Sequence, residues 1–463
     1  MKKTIFILVF LSIVFSANLY SEDSEPSIFT SYKNEYMSVL STLPKYANII
    51  AAEQKVNYVI QNTIDIFGNL YIRFHCFLPT VLTFVNSDGS VSICTSDNVK
   101  KVTYIYEYDQ NLKQSTVISF NNEIGTLGAF TKDSEGNYYL FYGLQTSRPN
   151  EQNMAMVKYN STGEKINVYK LIANAPNSFG GIKIPFDAGT CRLELSGQML
   201  AVYFAREMFN GHQASYGFVL DKDTFERIDR GAATHPDMGA VSQMPYVSHS
   251  FNQFILPVEN GFIFADHGDA YPRSFTFAGF SHGNNTKRLH AFRIPGGIGA
   301  NPTYAQMGGL AKTETGYIFN GAYGADRNAV RNIFTLLIDE NVTKVSAPKF
   351  LTKYTREDGH AGNPKIVSIG NDQFLMLWEL FTYSIQGANV IITYSKSGYI
   401  TTYAQIVNGN GDPVSEVREL KDIRLNINDT LRYNPINKKV YWAINGSESS
   451  IIVFALDVQS LLK

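Results

Sequence analysis

The sequence predicts an all-β fold, specifically a seven-bladed β-propeller made of four-stranded antiparallel blades. One hairpin pattern recurs seven times, with 55 to 68 residues between successive turns. Each hairpin is followed by a third strand and usually by a short fourth one, and no segment has sustained helical periodicity. Regular recurrence of a four-strand unit is typical of propeller blades. A β-sandwich also has many short strands, but it would not repeat this order at such a period.

The hairpins have apolar runs on both sides of a short polar or glycine-containing turn. The fourth reads Q-F-I-L-P-V-E-N-G-F-I-F-A and the sixth K-I-V-S-I-G-N-D-Q-F-L-M-L-W-E. We expect the seven turns near Gly68, Gly136, Gly197, Gly261, Gly316, Asn371 and Lys438. Seven turns of this kind predict seven blades.

The second half of each unit begins with a strand that ends in an acidic or polar turn. Examples are Y-I-Y-E-Y-D-Q-N-L, G-F-V-L-D-K-D-T and F-T-L-L-I-D-E-N. A short further strand follows in most units, as in I-N-V-Y-K-L-I. These two elements complete an antiparallel blade of four strands.

The last unit ends at its third strand, Ser449–Val458, which would leave an unpaired sheet edge. An exposed edge promotes aggregation, so we expect another segment to cover it. Residues 22–52 have no hairpin turn of their own, and Ser27–Ala52 is the stretch we expect to supply the missing strand. Residues 22–463 would then form one propeller domain closed by its N-terminal segment.

Two of the turns, D-S-E-G-N-Y-Y-L and D-I-F-G-N-L-Y-I, resemble those of NHL-type and related extracellular bacterial propeller repeats. The other five match only loosely. The resemblance implies the propeller fold and no particular activity.

The first 21 residues have the order of a secretory signal peptide. Lys2 and Lys3 precede an apolar run of about a dozen residues, which small and polar residues follow. No later segment has 18 uninterrupted apolar residues, so we expect no membrane-spanning segment in the mature chain. We therefore predict a secreted, periplasmic or cell-surface protein.

Export permits disulfides, and the chain has three cysteines, Cys76, Cys94 and Cys191. Cys76 and Cys94 could bridge neighbouring strands and leave Cys191 free, but the sequence does not fix the pairing. Their spacing fits no zinc motif, so we interpret them as structural.

The charge balance argues against a nucleic-acid partner. Lys and Arg total 40, Asp and Glu total 41, and the formal net charge is −1. No basic excess is available to neutralise phosphates. Hydrophobic residues are 44% of the chain, which is enough to form a large core.

The predicted topology gives the ring two different faces. We call the face where each first strand begins and each second strand ends the entry face, and the opposite one the turn face. Around blade four, polar residues lie at both outer ends of the hairpin, while the turn Glu259–Gly261 carries little chemistry. Strand order therefore brings a polar cluster together on the entry face: His249, Asp266, His267, Asp269, Tyr271 and Arg273. Adjoining blades add His212, His235, His360 and Glu379.

This cluster has more than one interpretation. It could bind a ligand, it could be a buried hydrogen-bond network that fastens the strands, or it could hold a metal or transfer protons. Arg148, Arg206, Arg273 and Arg327 fall on returning loops of this face and indicate an anionic or hydroxyl-rich ligand.

The sequence contains no established catalytic or metal-binding motif, and it assigns no catalytic residue, metal or cofactor. We therefore predict a ligand-binding or interaction module whose partner is a carbohydrate, an anionic small molecule or a protein. The alternative is a secreted hydrolase or lyase that uses the histidines and carboxylates of the same face.

Overall fold

The computed structural model describes most of the chain as a ring of β-sheets. The described residues are 49–60, 78–174, 180–187, 189–229, 234–235, 239–240, 245–269, 273–281, 284–285, 288–296, 303–325, 329–383, 398–427, 429–447 and 449–462. The predicted signal peptide and the turn predicted at Gly68 lie outside them. Seven sheets of antiparallel strands form the seven predicted blades. Among the described residues there is no helix with the length and apolarity needed to cross a membrane.

The first three blades follow the chain from β2 to β13, after the N-terminal strand β1 (Ile49–Lys55). Blade one contains β2 (Val81–Val85), β3 (Val91–Asp97), β4 (Val102–Tyr108) and β5 (Gln114–Asn121). Blade two contains β6 (Thr126–Lys132), β7 (Tyr138–Gly143), β8 (Gln152–Tyr159) and β9 (Lys165–Ile172). Blade three contains β10 (Ile184–Pro185), β11 (Cys191–Ser196), β12 (Met199–Glu207) and β13 (Gln213–Asp221). In blade three, the fourth strand is reduced to a bridge between Leu220 and Arg227.

The remaining blades follow a two-stranded connection formed by β14 (Thr234–His235) and β15 (Gly239–Ala240). Blade four contains β16 (Ser250–Val258), β17 (Gly261–Gly268), β18 (Ser274–Ser281), β19 (Asn284–Asn285) and β20 (Leu289–His290). Blade five contains β21 (Gln306–Lys312), β22 (Gly316–Tyr323), β23 (Asn332–Asp339) and β24 (Lys349–Phe350). Blade six contains β25 (His360–Gly370), β26 (Gln373–Phe381), β27 (Tyr399–Asn408) and β28 (Arg418–Leu420). Blade seven contains β29 (Arg432–Asn434), β30 (Lys439–Ser447) and β31 (Ser450–Asp457), and a short 3₁₀ helix, Val458–Leu461, follows.

The N-terminal strand closes the ring, as predicted. β1 pairs antiparallel with β31 from Ile49 opposite Leu456 to Lys55 opposite Ser450. The order β1-β31-β30-β29 makes β1 the fourth strand of blade seven. The missing edge is thus covered by residues at the end of the predicted closing segment and just beyond it.

The inner hairpin of blade one differs from the prediction in its position. It joins β2 to β3 through Asn86–Ser90, where the Asn86 and Ser90 backbones are hydrogen-bonded. Gly89 has a φ of 90°, a conformation that favours glycine, and the Asp88-Gly89 pair is a strong hairpin signal. The other six predicted turns all lie at or next to the junction of a first and a second strand.

The polar turns after the third strands share one local structure. In five blades an Asp or Asn side chain accepts hydrogen bonds from backbone N–H groups two to five residues later. These residues are Asp109, Asn160, Asp221, Asp339 and Asn408. Such side chains satisfy the turn backbone, which explains why acidic and amide residues recur there.

The core lies between neighbouring blades, where large side chains such as Trp378 and Trp442 are almost fully buried. Cys94 and Cys191 are buried free thiols, and burial raises the pKa of both. Cys76 lies outside the described residues.

Candidate functional site

A cavity of about 420 Å³ opens on the turn face at the end of the central channel. Its walls come from the last residues of inner strands, including Phe84 of β2, Phe254 and Leu256 of β16, and Ile366 of β25. Tyr433 of β29 completes the apolar lining. Inner strands of six blades therefore form one concave surface on the turn face. The sequence had indicated little chemistry on that face.

The polar groups of this cavity include an ion pair that crosses the ring. Arg432 of blade seven donates from Nη2 to Oε1 of Glu194 in blade three over 2.9 Å. Its Nε donates to the carbonyl oxygen of Thr83 in blade one over 3.2 Å. The side chains of Arg432 and Glu194 are 26% and 12% exposed, so both can be reached from the cavity. Burial lowers the pKa of Arg432, but the carboxylates of Glu194 and Asp429 outweigh it and raise that pKa overall, which keeps the guanidinium charged.

Two more basic side chains lie close to this pair. Arg192 donates from Nε to the carbonyl oxygen of Gln253 over 2.9 Å. Lys365 donates from Nζ to the carbonyl oxygens of Ile427, over 2.6 Å, and Asp429, over 2.9 Å. Burial lowers the pKa of Lys365 to about 7, and the positive charge of Arg192 contributes.

Basic and acidic side chains meet in this part of the channel. Arg192 interacts electrostatically with Lys365 and with Arg432, and the carboxylates of Asp429, Glu194 and Glu379 act on these basic groups. The Asp429 carboxylate already accepts a hydrogen bond from the Thr83 backbone over 2.8 Å. Like charges repel strongly where water is scarce, so an anion that pairs with Arg432 would reduce its repulsion with Arg192.

One polar atom of the cavity wall is still unsatisfied. The Thr430 hydroxyl is buried and has no hydrogen-bond partner among the described residues. Leaving a buried hydroxyl without a partner is costly. A mostly apolar cavity with a few convergent polar groups is the usual form of a small-molecule site.

These four residues were not among the predicted site residues, although the sequence contains a signal for two of them. Arg192 and Glu194 lie two residues apart in C-R-L-E-L-S, so strand alternation places both on one side of β11. This side of β11 faces blade four, where Arg192 lies over the Phe254 ring. Arg432 and Lys365 join them only through the ring geometry.

The structure brings two of the predicted entry-face histidines together around Ser248. Nε2 of His212 lies 2.8 Å from the Ser248 hydroxyl oxygen, and Nδ1 of His249 lies 3.0 Å from it. The ring centroids are 4.0 Å apart, and all three side chains are partly exposed. Burial lowers the pKa of His249 to about 4, helped by His212. Burial, with a contribution from Arg206, also lowers the pKa of His212.

The other described members of the blade-four cluster are buried. Asp266 accepts hydrogen bonds from the hydroxyls of Tyr203, over 2.8 Å, and Ser250. Asp269 and Arg273 form a buried ion pair with an Nε–Oδ1 distance of 2.6 Å. His267 is fully buried against Phe275, with ring centroids 5.0 Å apart. These contacts form a buried network between strands, one of the three interpretations of this cluster given above.

The remaining candidates of the adjoining blades are also in packed surroundings. Nδ1 of His360 accepts from the backbone N–H of Arg331 over 3.2 Å, and Tyr383 packs against the His360 ring. Glu379 is fully buried and paired with Arg424. His235 belongs to β14, but its side chain lies outside the described part, as does all of Tyr271. Within the described residues, no group of three or more His, Cys, Asp or Glu side chains is arranged to hold a metal ion.

Asp266 makes stability depend on pH in a predictable direction. Burial raises the pKa of Asp266 from 3.8 to about 7, although bonds from Ser250 and Tyr203 oppose this. Between about pH 4 and pH 7, Asp266 holds a proton in the native state that it has lost in the unfolded state. Its contribution to the free energy of unfolding therefore falls as the pH rises through this range.

Asp266→Asn should remove this effect. The free energy of unfolding of the variant, relative to the unsubstituted protein, should rise by a few kcal/mol between pH 4 and pH 8, because one pKa unit corresponds to about 1.4 kcal/mol. Urea denaturation of both proteins across this range measures the difference, and the histidine contributions cancel in it. A difference that does not change with pH would contradict the assignment.

Comparisons with known proteins found solved structures of low similarity. No protein-family model matches the chain, and no curated protein matches it in sequence. Similar solved structures include the Dos1 propeller, with 10% identity and a TM-score of 0.44 over 82% of both chains. The β-propeller domain of the trilobed protease from Pyrococcus furiosus has 8% identity and a TM-score of 0.37, over 75% of this chain and 83% of that one. An oligogalacturonate lyase in complex with manganese has 10% identity and a TM-score of 0.42, over 83% of this chain and 98% of that one.

Proposed function

We propose that this chain is an exported β-propeller that binds a small organic anion in the turn-face cavity. The observation that carries the proposal is a 420 Å³ apolar cavity whose polar groups include the charged Arg432. Export is proposed from the sequence of the first 21 residues alone. The resemblance of two turns to NHL-type repeats agrees with a propeller and adds nothing about the ligand.

The ligand would pair with Arg432 in competition with Glu194. Arginine binds carboxylate and sulfate oxygens through several N–H groups at once, which suits an anionic ligand. The Glu194 carboxylate now occupies one of these positions, so an incoming anion must displace it. The apolar body of the ligand would contact Phe254 and Tyr433 in the wall.

The entry face is a second candidate for the ligand site, as the sequence predicts. His212 and His249 are the described members of that cluster that remain partly exposed. A carbohydrate or a protein would be the partner of this face, whereas the charged Arg432 in the turn-face cavity favours a small anion. The turn-face cavity is the stronger candidate because it is concave and already formed.

Titration with anilinonaphthalenesulfonate, a fluorescent probe with an aromatic body and one sulfonate, tests the proposal. Arg432→Gln should weaken binding about tenfold or more, because hydrogen bonds to charged groups contribute roughly 1.5–3 kcal/mol. Glu194→Gln should tighten binding, because it removes the competing carboxylate while leaving Arg432 in place. If the ion pair only holds the cavity in shape, Arg432→Gln and Glu194→Gln should both weaken binding.

The matched control is Arg418→Gln, which alters an exposed arginine on the edge strand β28. It should bind the probe like the unsubstituted protein. Melting curves establish that all four proteins are folded, since the probe also binds partly unfolded chains. Equal affinities in all four, or no saturable binding, would overturn the proposal.

A further inference from the structure

We propose that Ser248 and His212 are the nucleophile and general base of a carboxylic-ester hydrolase site on the entry face. The site is separate from the turn-face cavity, and it stands or falls independently of anion binding there. Its basis is the convergence of two imidazole nitrogens, 2.8 and 3.0 Å away, on one partly exposed hydroxyl. A serine hydroxyl within hydrogen-bond reach of a histidine that can take its proton is the pairing used for nucleophilic catalysis.

The backbone holds this group rigidly between two blades. Ser248 forms a bridge with Ala214 of β13, and the His249 N–H donates to the carbonyl oxygen of Gln213 over 2.8 Å. On the other side, the Asp269 N–H donates to the carbonyl oxygen of His249 over 2.8 Å. His249 has a φ of 51°, a left-handed conformation that is unfavourable for a non-glycine residue. Such strain is often found at functional sites.

Hydrogen-bond chemistry assigns different roles to the two histidines. The Ser248 hydroxyl has one proton and three side-chain partners, His212, His249 and Tyr246, so it can donate to only one of them. We assign the acceptor role to His212, whose Nε2 is the nearer nitrogen, and His249 then donates from Nδ1 to the hydroxyl oxygen. Burial lowers the pKa of both rings, so both are neutral at pH 7 and His212 can accept a proton.

The reaction follows from these roles. As the Ser248 oxygen bonds to the ester carbonyl carbon, its proton passes to Nε2 of His212. The bond from that carbon to the alkoxy oxygen breaks, and the leaving alcohol takes the proton from His212. Water then adds to the acyl carbon and gives a proton to His212, which returns it to the Ser248 oxygen as the acyl bond breaks. The net change is ester plus water to carboxylic acid plus alcohol.

The geometry also limits the substrate. The His212 and His249 rings lie on either side of the hydroxyl with centroids 4.0 Å apart, so a substrate must approach it past two imidazole rings. The site therefore suits esters with a small acyl group, such as acetyl esters.

Two measurements on the whole protein test this site. A fluorophosphonate probe should label Ser248, as identified by mass spectrometry of the labelled peptide. Hydrolysis of p-nitrophenyl acetate should fall about 100-fold or more in Ser248→Ala and in His212→Gln, the range typical of general-base catalysis.

The chain supplies a matched control in a second serine–histidine pair. Nδ1 of the half-buried His290 lies 3.0 Å from the hydroxyl of Ser274, but Ser274 is fully buried and cannot reach a substrate. His290→Gln should therefore keep the activity. Labelling elsewhere than Ser248, or equal hydrolysis by Ser248→Ala and the unsubstituted protein, would overturn the proposal.

Discussion

A chain that begins at Val56 should be less stable and more prone to aggregation than a chain that begins at Ile49. The two differ only by β1, which pairs along its whole length with β31. Removing β1 exposes the backbone edge of β31 and uncovers the core around Ile452, Phe454 and Leu456. We expect a loss of about 3 kcal/mol or more, the cost of truncating one large core side chain, together with edge-to-edge association.

Urea denaturation and light scattering of the two truncated chains measure these effects. Because both chains lack the same preceding residues, any difference belongs to the closing strand. Equal midpoints together with equal scattering would mean that β1 does not hold the ring closed.

Replacement of Glu379 by Gln should destabilise the protein by about 3–5 kcal/mol, the usual cost of breaking a buried ion pair. Glu379 is fully buried, and its Oε1 accepts from Nε of Arg424 over 2.7 Å and from the Leu425 N–H over 2.9 Å. The Asn363 side chain donates to its other oxygen over 3.2 Å. The substitution leaves the Arg424 charge buried without its carboxylate.

A double-mutant cycle distinguishes this loss from a general packing defect. Glu379→Gln combined with Arg424→Gln should be less destabilised than the sum of the two single changes, because no unpaired charge remains. At a temperature where the variant is folded, probe binding in the turn-face cavity should be unchanged. Strict additivity of the two single changes would contradict the buried ion pair as the cause of the loss.

Much of the architecture was predictable because it depends on local sequence. Hairpin turns need residues of particular backbone conformation, so Gly136 and Lys438 mark strand junctions that can be found without a structure. The polar turns at Asp109 and Asn408 are local as well, since one side chain bonds backbone groups a few residues away. Ring closure followed from counting strands in a repeating unit. The displaced first hairpin shows the limit of this method, because an apolar run with a plausible turn at Gly68 competed with the stronger signal at Gly89.

Strand order also determined which residues share a face, and so it placed His212 near His249 before any contact was known. It could not determine which side chains are exposed. Asp269 and Arg273 look like surface loop residues in the sequence, yet they form a buried ion pair, because burial depends on the neighbouring blades and loops.

The turn-face cavity depended on tertiary structure alone. Arg432 and Glu194 are 238 residues apart, in blades that meet only across the channel. The sequence fixes the alternation of side chains along each inner strand, but the curvature and the number of blades decide which side chains meet at its centre. The charge of the channel and the size of its cavity are therefore properties of the closed ring. Each strand or blade contributes only a few of the charged and lining residues, so neither property can be predicted from one of them.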